Sequence, residues 1–145
     1  MTSIGDCLFP DELFYNVDTG IWARREADGT ITVGMTSCAC SMVGELVAYL
    51  PKKVGEHVER NKSLATVESG KWVGPVKAPV GGEIIAVNGA VAAKAAIINA
   101  DPYGRGWVAK MKPANWDGEA AGLITGAGVR AAFEAKMKAD GLSRC

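Results

Sequence analysis

The sequence predicts a mainly β protein, a flattened β-sandwich or barrel carrying one short internal helix and one C-terminal helix. Three observations carry that expectation. From Ile21 to Lys112 the apolar runs are short, rich in Val, Ile and Leu, and punctuated by Gly, Pro, Asn or Asp. A motif recurs, since Val43-Gly44-Glu45-Leu46-Val47-Ala48 resembles Gly81-Gly82-Glu83-Ile84-Ile85-Ala86-Val87, 38 residues on. A spacing of four between apolar residues emerges only at the end, at Val129, Phe133 and Met137.

Taken in order, the first element is a hairpin. Trp22-Ala23-Arg24-Arg25 leads through the turn-forming Asp28-Gly29 to Ile31-Thr32-Val33-Gly34-Met35. Thr36 to Val43 reads as about two helical turns, capped by Thr36 or Ser37, because a hydroxyl there can accept from an orphan backbone N–H. Strand character returns at Gly44–Leu50, and the repeat implies two β units whose apolar faces close on each other. Thr125 is expected to cap the last helix, the Val129, Phe133 and Met137 stripe to dock it, and Gly141 to end it. The chain reads as a single domain over 1-145, with a β core at about 13-112 and a helical extension at 113-145.

Composition narrows the function. Sixteen Lys plus Arg balance sixteen Asp plus Glu with no basic cluster, which argues against nucleic acid. No apolar run approaches the roughly 18 residues of a membrane span, and the start lacks a basic segment followed by an apolar one, so the expectation is a cytoplasmic protein away from membranes. In that compartment the four cysteines are expected as free thiols. A zinc site is not expected, because Cys38 and Cys40 are too close for the usual ligand pair and His57 is the sole histidine.

The segment Glu68-Ser69-Gly70-Lys71-Trp72 reads as a hairpin tip. Gly70-Lys71 suits the centre of a type II′ turn, which needs a positive φ at its first position. A lysine there is presented to solvent between rigid strands, as a target of post-translational acylation should be. Pro75 and Pro79 fit a strand whose partner ends early, since proline donates no ladder bond.

Glu68-Ser69-Gly70-Lys71 followed by Ala78-Pro79-Val80-Gly81-Gly82-Glu83 resembles the E-S-x-K and A-P-x-x-G-E pattern of the glycine-cleavage H proteins. Tyr15, Trp22, Asp28-Gly29-Thr30, Val33-Gly34-Met35-Thr36, Gly44-Glu45-Leu46-Val47, Val54-Gly55 and Asp101-Pro102-Tyr103-Gly104-Arg105-Gly106-Trp107 extend the likeness over about residues 13 to 138. The resemblance implies a lipoyl/biotinyl-type fold (barrel-sandwich hybrid) and a non-catalytic carrier. It also implies lipoic acid held as an amide on Lys71, with Glu68, Ser69 and Gly70 as the recognition turn. Biotinyl carriers set their lysine between methionines, and the lipoyl domains of 2-oxoacid dehydrogenases lack the 101-107 segment, so both fit less well.

Two departures point to a subfamily. Gly20-Ile21 stand where H proteins have histidine and glutamate before the tryptophan, and Ser37-Cys38-Ala39-Cys40-Ser41 introduces thiols. Both resemble the lipoate-binding proteins of sulfur-oxidising bacteria. That likeness implies a carrier of sulfur intermediates whose partners are a sulfur-transfer protein, a heterodisulfide-reductase-like complex, and a lipoate-protein ligase or other lipoate-assembly enzyme. Cys38, Cys40 and Cys145 are then the candidate sulfur-reactive thiols. The alternative is a glycine-cleavage H protein carrying the aminomethyl group. Outside the carrier class stand an assembly module acting through Trp72 and Trp116, and a thiol enzyme, which the absence of a C-x-x-C motif disfavours.

Overall fold

The computed structural model describes all of residues 1–145. Its strands form two principal antiparallel sheets. Six strands, β3 (Phe14–Asn16), β4 (Ile21–Arg25), β5 (Ile31–Met35), β11 (Ala109–Pro113), β10 (Gly82–Val87) and β7 (His57–Val58), lie in that spatial order. Three more, β6 (Leu46–Pro51), β8 (Ser63–Ser69) and β9 (Val73–Lys77), form the second sheet. Ile31, Val33, Ile84 and Met111 of the first meet Leu46, Leu64, Val67 and Val76 of the second in one cluster of 22 buried residues. Alternation along each strand produces this, since one face of every strand turns inward. Tyr49 crosses between the sheets, its hydroxyl donating to the Val108 carbonyl at 2.6 Å.

The motif repeat has a structural counterpart. Its two copies start β6 and β10, which lie in opposite sheets, and Leu46 and Ile84 are both buried while Val47 and Ile85 are exposed. Both strands also break register at the same place, between Leu46 and Ala48 and between Ile84 and Ala86. A bulge bends and twists its strand, so the matched pair curves the two sheets alike.

The hairpin β4–β5 is present, with Gly29 at φ 85° in its loop. Thr36 rather than Ser37 caps α1 (Ser37–Val43), accepting from the Ala39 N–H at 3.2 Å. Short helices α2 (Gly89–Ala93), α3 (Ile97–Ala100) and α4 (Trp116–Glu119) fill the connections on either side of β11. Thr125 does not cap the final helix. Its hydroxyl donates to the Leu13 carbonyl at 2.7 Å, a 3-10 turn intervenes, and α5 begins at Val129 and runs to Ala139. The competing acceptor is distant in sequence, which local capping rules do not see. Gly141, at φ 71°, follows the helix as expected.

Val129, Phe133 and Met137 of α5 dock into a second cluster of nine buried residues with Phe9, Leu13, Tyr15 and Trp22. Phe133 stacks on Phe9 at 4.2 Å and meets Tyr15 edge-on at 5.3 Å. The strands β1 (Thr2–Ile4) and β2 (Cys7–Phe9) form a small hairpin of their own, and β2 contributes Cys7 and Phe9 to this cluster. The free-thiol expectation fails at the chain ends: Cys7 and Cys145 are joined in a disulfide, their Cα atoms 5.0 Å apart across 138 residues. Packing α5 against β2 brings the two termini together. No helix is long and apolar enough to cross a membrane.

Candidate functional site

The hairpin β8–β9 pairs Glu68 with Val73, and the Ser69 N–H donates to the Trp72 carbonyl at 2.8 Å, so Gly70 and Lys71 form the tip. The expected type II′ turn is not what forms. Gly70 is absent from the positive-φ glycines, and the hairpin is closed instead by Ser69. The buried Ser69 hydroxyl donates to the Val43 carbonyl at 2.5 Å, and the Lys71 N–H donates to the Ser69 Oγ at 3.4 Å. One side chain therefore fastens the tip to the end of α1. Turn-type rules consider backbone alone and miss such a tertiary anchor.

Lys71 is exposed, and its ammonium takes part in no ion pair or side-chain hydrogen bond. Its stem passes over Gly44, where an added Cβ would sit 3.2 Å from Lys71 Cε. Gly44 also holds φ 86°, a backbone conformation that calls for glycine there. Asn99 fixes this floor from below: the Leu46 N–H donates to its Oδ1 at 2.9 Å, and its Nδ2 donates to the Gly44 carbonyl at 2.8 Å. Sequence reading passed over Asn99, because only the fold brings α3 against the start of β6. Glu68 and Gly70 are exposed beside Lys71, so three of the four turn residues are open to a modifying enzyme and Ser69 is internal.

Next to the tip lies a cleft of about 290 Å³, lined mainly by apolar groups that include Met35, Cys38, Met42, Trp72 and Met137. The Trp72 ring folds back over Gly74, where a Cβ would fall 2.3 Å from the ring. The lysine tip and the cleft mouth are thus joined by one residue. An unpaired surface lysine beside an apolar recess suits a short acyl arm ending in an apolar ring.

The two departures noted in the sequence meet at this cleft. Gly20, at φ 68°, packs so tightly on α1 that a Cβ would lie 2.7 Å from the Ala39 Cβ, and α1 is the helix that bears Cys38 and Cys40. A histidine has no room at that position while Ala39 stands opposite. Cys38 lines the cleft, its sulfur 3.2 Å from the Thr36 hydroxyl, and burial raises its thiol above the ordinary range. Cys40 points into the main core toward the Ile98 carbonyl at 3.7 Å, and burial pushes its thiol up to about 12. Cys145 is not the free terminal thiol that was expected, being bonded to Cys7. Both free thiols are held protonated near neutral pH, and a protonated thiol is a weak nucleophile.

Comparisons with known proteins point to one family. The family model described as glycine cleavage H-protein matches residues 13–136. Glycine cleavage system H protein 5 of Aquifex aeolicus is 51% identical over 119 residues, spanning 79% of this chain and 80% of that protein. A probable glycine cleavage system H protein 2 of Sulfurisphaera tokodaii is 45% identical, spanning 87% and 86%. The crystal structure of a glycine cleavage system H protein from Mycobacterium marinum superposes with a TM-score of 0.74 at 32% identity, covering 92% of this chain and all of that one.

Proposed function

Because the chain belongs to the glycine cleavage H-protein family, whose members are non-catalytic carriers of lipoic acid on a lysine, we propose that Lys71 is the lipoylated residue and that the protein carries the aminomethyl group of glycine cleavage. The observation that carries this is the placement of Lys71, the exposed and unpaired tip of a rigid hairpin whose next residue walls an apolar cleft. Glu68, Ser69 and Gly70 form the turn that a lipoate ligase reads, with Ser69 setting its shape from inside.

Bound lipoate supplies a dithiolane that opens and closes by two-electron exchange. The chain's own part is to present the amine, to remove its positive charge on acylation, and to offer an apolar recess that excludes water from a docked arm. Tethering at a fixed point gives each partner enzyme a high effective concentration of that arm. Residues 1-145 act as one carrier domain in the cytoplasm, with lipoate ligase and the glycine cleavage enzymes as partners.

A second reading has a specific observation in its favour. Cys38 opens on the cleft, and Gly20 and Ile21 replace the polar pair before Trp22. A thiol-lined, less polar recess fits sulfur cargo, delivered by a sulfur-transfer protein and passed to a heterodisulfide-reductase-like complex, better than it fits an amine.

Intact mass spectrometry of protein from its native host tests the shared premise. A lipoyl adduct that disappears in Lys71→Arg supports the carrier, and an unmodified native protein overturns it. Reduction of the loaded protein by glycine and glycine decarboxylase then decides the cargo: efficient turnover supports the aminomethyl reading, and none supports the sulfur reading.

A further inference from the structure

The Cys7–Cys145 disulfide lies outside the hairpin site, and the carrier role makes no use of it. Cys7 is fully buried in β2, whereas Cys145 is exposed at the end of a segment that leaves α5 at Gly141. That segment runs along the turn at Gly5, where a Cβ would lie 2.5 Å from the Ser143 carbonyl oxygen.

Its noncovalent ties are few. Leu142 donates its N–H to the Met137 carbonyl at 2.8 Å and packs on the second cluster. The rest is solvent-exposed: Arg144 pairs with Asp6 at 3.7 Å, the Cys145 N–H contacts the Asp6 carboxylate, and the Ser41 hydroxyl lies 3.5 Å from the Cys145 carbonyl. Exposed ion pairs contribute about 0–1 kcal/mol, and chain ends fray unless fastened. The disulfide is therefore the principal fastening of residues 143–145, and through them it holds Leu142 beyond its one helix-terminal hydrogen bond. What it fastens matters, because Leu142 lines the cleft together with Met137, Asp140 and Cys38.

We infer that Cys7–Cys145 is a redox-operated latch on the cleft: reduction releases the C-terminal segment and opens the recess at Cys38, and oxidation closes it. The reductant is a dithiol. One of its thiolates attacks the exposed Cys145 sulfur and expels the Cys7 thiolate; its second thiol then displaces Cys145. The reductant ends as a cyclic disulfide and the protein as two thiols, with two electrons and two protons transferred. Persistent disulfides are unusual in a reducing cytoplasm, where those that form are mostly redox-sensing or catalytic. This inference stands whether or not Lys71 is acylated.

The test uses the full unlipoylated chain, first oxidised and then reduced with dithiothreitol that is removed before labelling. Maleimide labelling of Cys38 is followed by peptide mass mapping, and hydrogen exchange in β8 and β9 serves as the reference for global opening, because Cys40 lines a cavity that Cys145 also lines. Reduction is expected to speed Cys38 labelling roughly tenfold while β8 and β9 keep their protection, as a local opening requires. The amides of Leu142 and Cys145, which are the hydrogen-bonded ones of the segment, should lose protection from hydrogen exchange while those of α5 keep it. The double variant Cys7→Ala/Cys145→Ala should behave like the reduced protein. The latch is overturned if Cys7 and Cys145 are labelled as thiols with the Cys38 rate unchanged, if β8 and β9 lose protection together with the acceleration at Cys38, or if the oxidised protein contains no Cys7–Cys145 peptide pair.

Discussion

The two hydrophobic clusters of this molecule are built differently. The larger, with 22 buried residues, is assembled from the facing sides of the two sheets, and the hairpin that ends at Lys71 belongs to one of them. The smaller, with nine, is assembled from the two ends of the chain: β2 and α5 close over Tyr15 and Trp22, and a disulfide joins the termini. The first fixes where an arm is attached. The second supplies part of the wall of the recess beside it, through Met137 and Cys38.

The largest effect expected is all-or-none and belongs to the first region. Lys71→Arg should abolish acylation by a lipoate ligase, because no amine remains to acylate, while the midpoint of thermal unfolding stays unchanged. Intact mass and calorimetry read the two quantities. Modification persisting in the variant would move the attachment site elsewhere.

A matched pair of cavity substitutions tests whether the clusters are separable. Leu64→Ala in the sandwich should cost about 2–5 kcal/mol and lower global stability, and Phe133→Ala in the end cluster about 3–5 kcal/mol. The second cost should fall locally: in hydrogen exchange, α5 and β2 lose protection while β8 and β9 keep theirs. Equal loss across all strands in Phe133→Ala would make the two clusters one cooperative unit and break the comparison.

Asn99→Ala should cost about 1–3 kcal/mol, because it leaves the Leu46 N–H and the Gly44 carbonyl without their partner. Its sharper readout is at the tip. Loss of the floor under the Lys71 stem should slow ligase turnover, whereas Asn99→Asp, which retains the acceptor for Leu46, should recover part of the rate. Equal rates in the three proteins would reduce Asn99 to a stabiliser of the α3–β6 contact.

How much of this was legible in the sequence follows the same division. The β4–β5 hairpin, the cap at Thr36, the paired β units and the exposed lysine rest on neighbours in sequence, and propensity and periodicity report those. The paired units even carried their bulges at matching positions, Val47 and Ile85. What the sequence did not disclose depends on long-range contact. Thr125 bonds to Leu13 instead of capping α5, Asn99 reaches back to Gly44 and Leu46, and Cys145 meets Cys7 only after α5 has docked on β2. The type II′ expectation failed for a related reason. Ser69 anchors the tip to Val43, so the backbone of Gly70 is set by α1 and not by the preferences of the turn.

That anchor yields the smallest effect and the finest test. Ser69→Ala removes a hydroxyl that donates to Val43 and leaves the carbonyl at the end of α1 one partner short, a loss of about 1 kcal/mol. If the tip is shaped from within, the variant should keep its fold yet become a poorer ligase substrate, with a higher KM for the protein and broadened amide signals at Gly70 and Lys71. Ser69→Thr retains the hydroxyl and should restore the signals if its methyl is accommodated. A Ser69→Ala protein modified as fast as the parent, with sharp tip signals, would mean that the strands of the sandwich alone hold Lys71 in place, and the α1 contact would then belong to the cleft and not to the lysine.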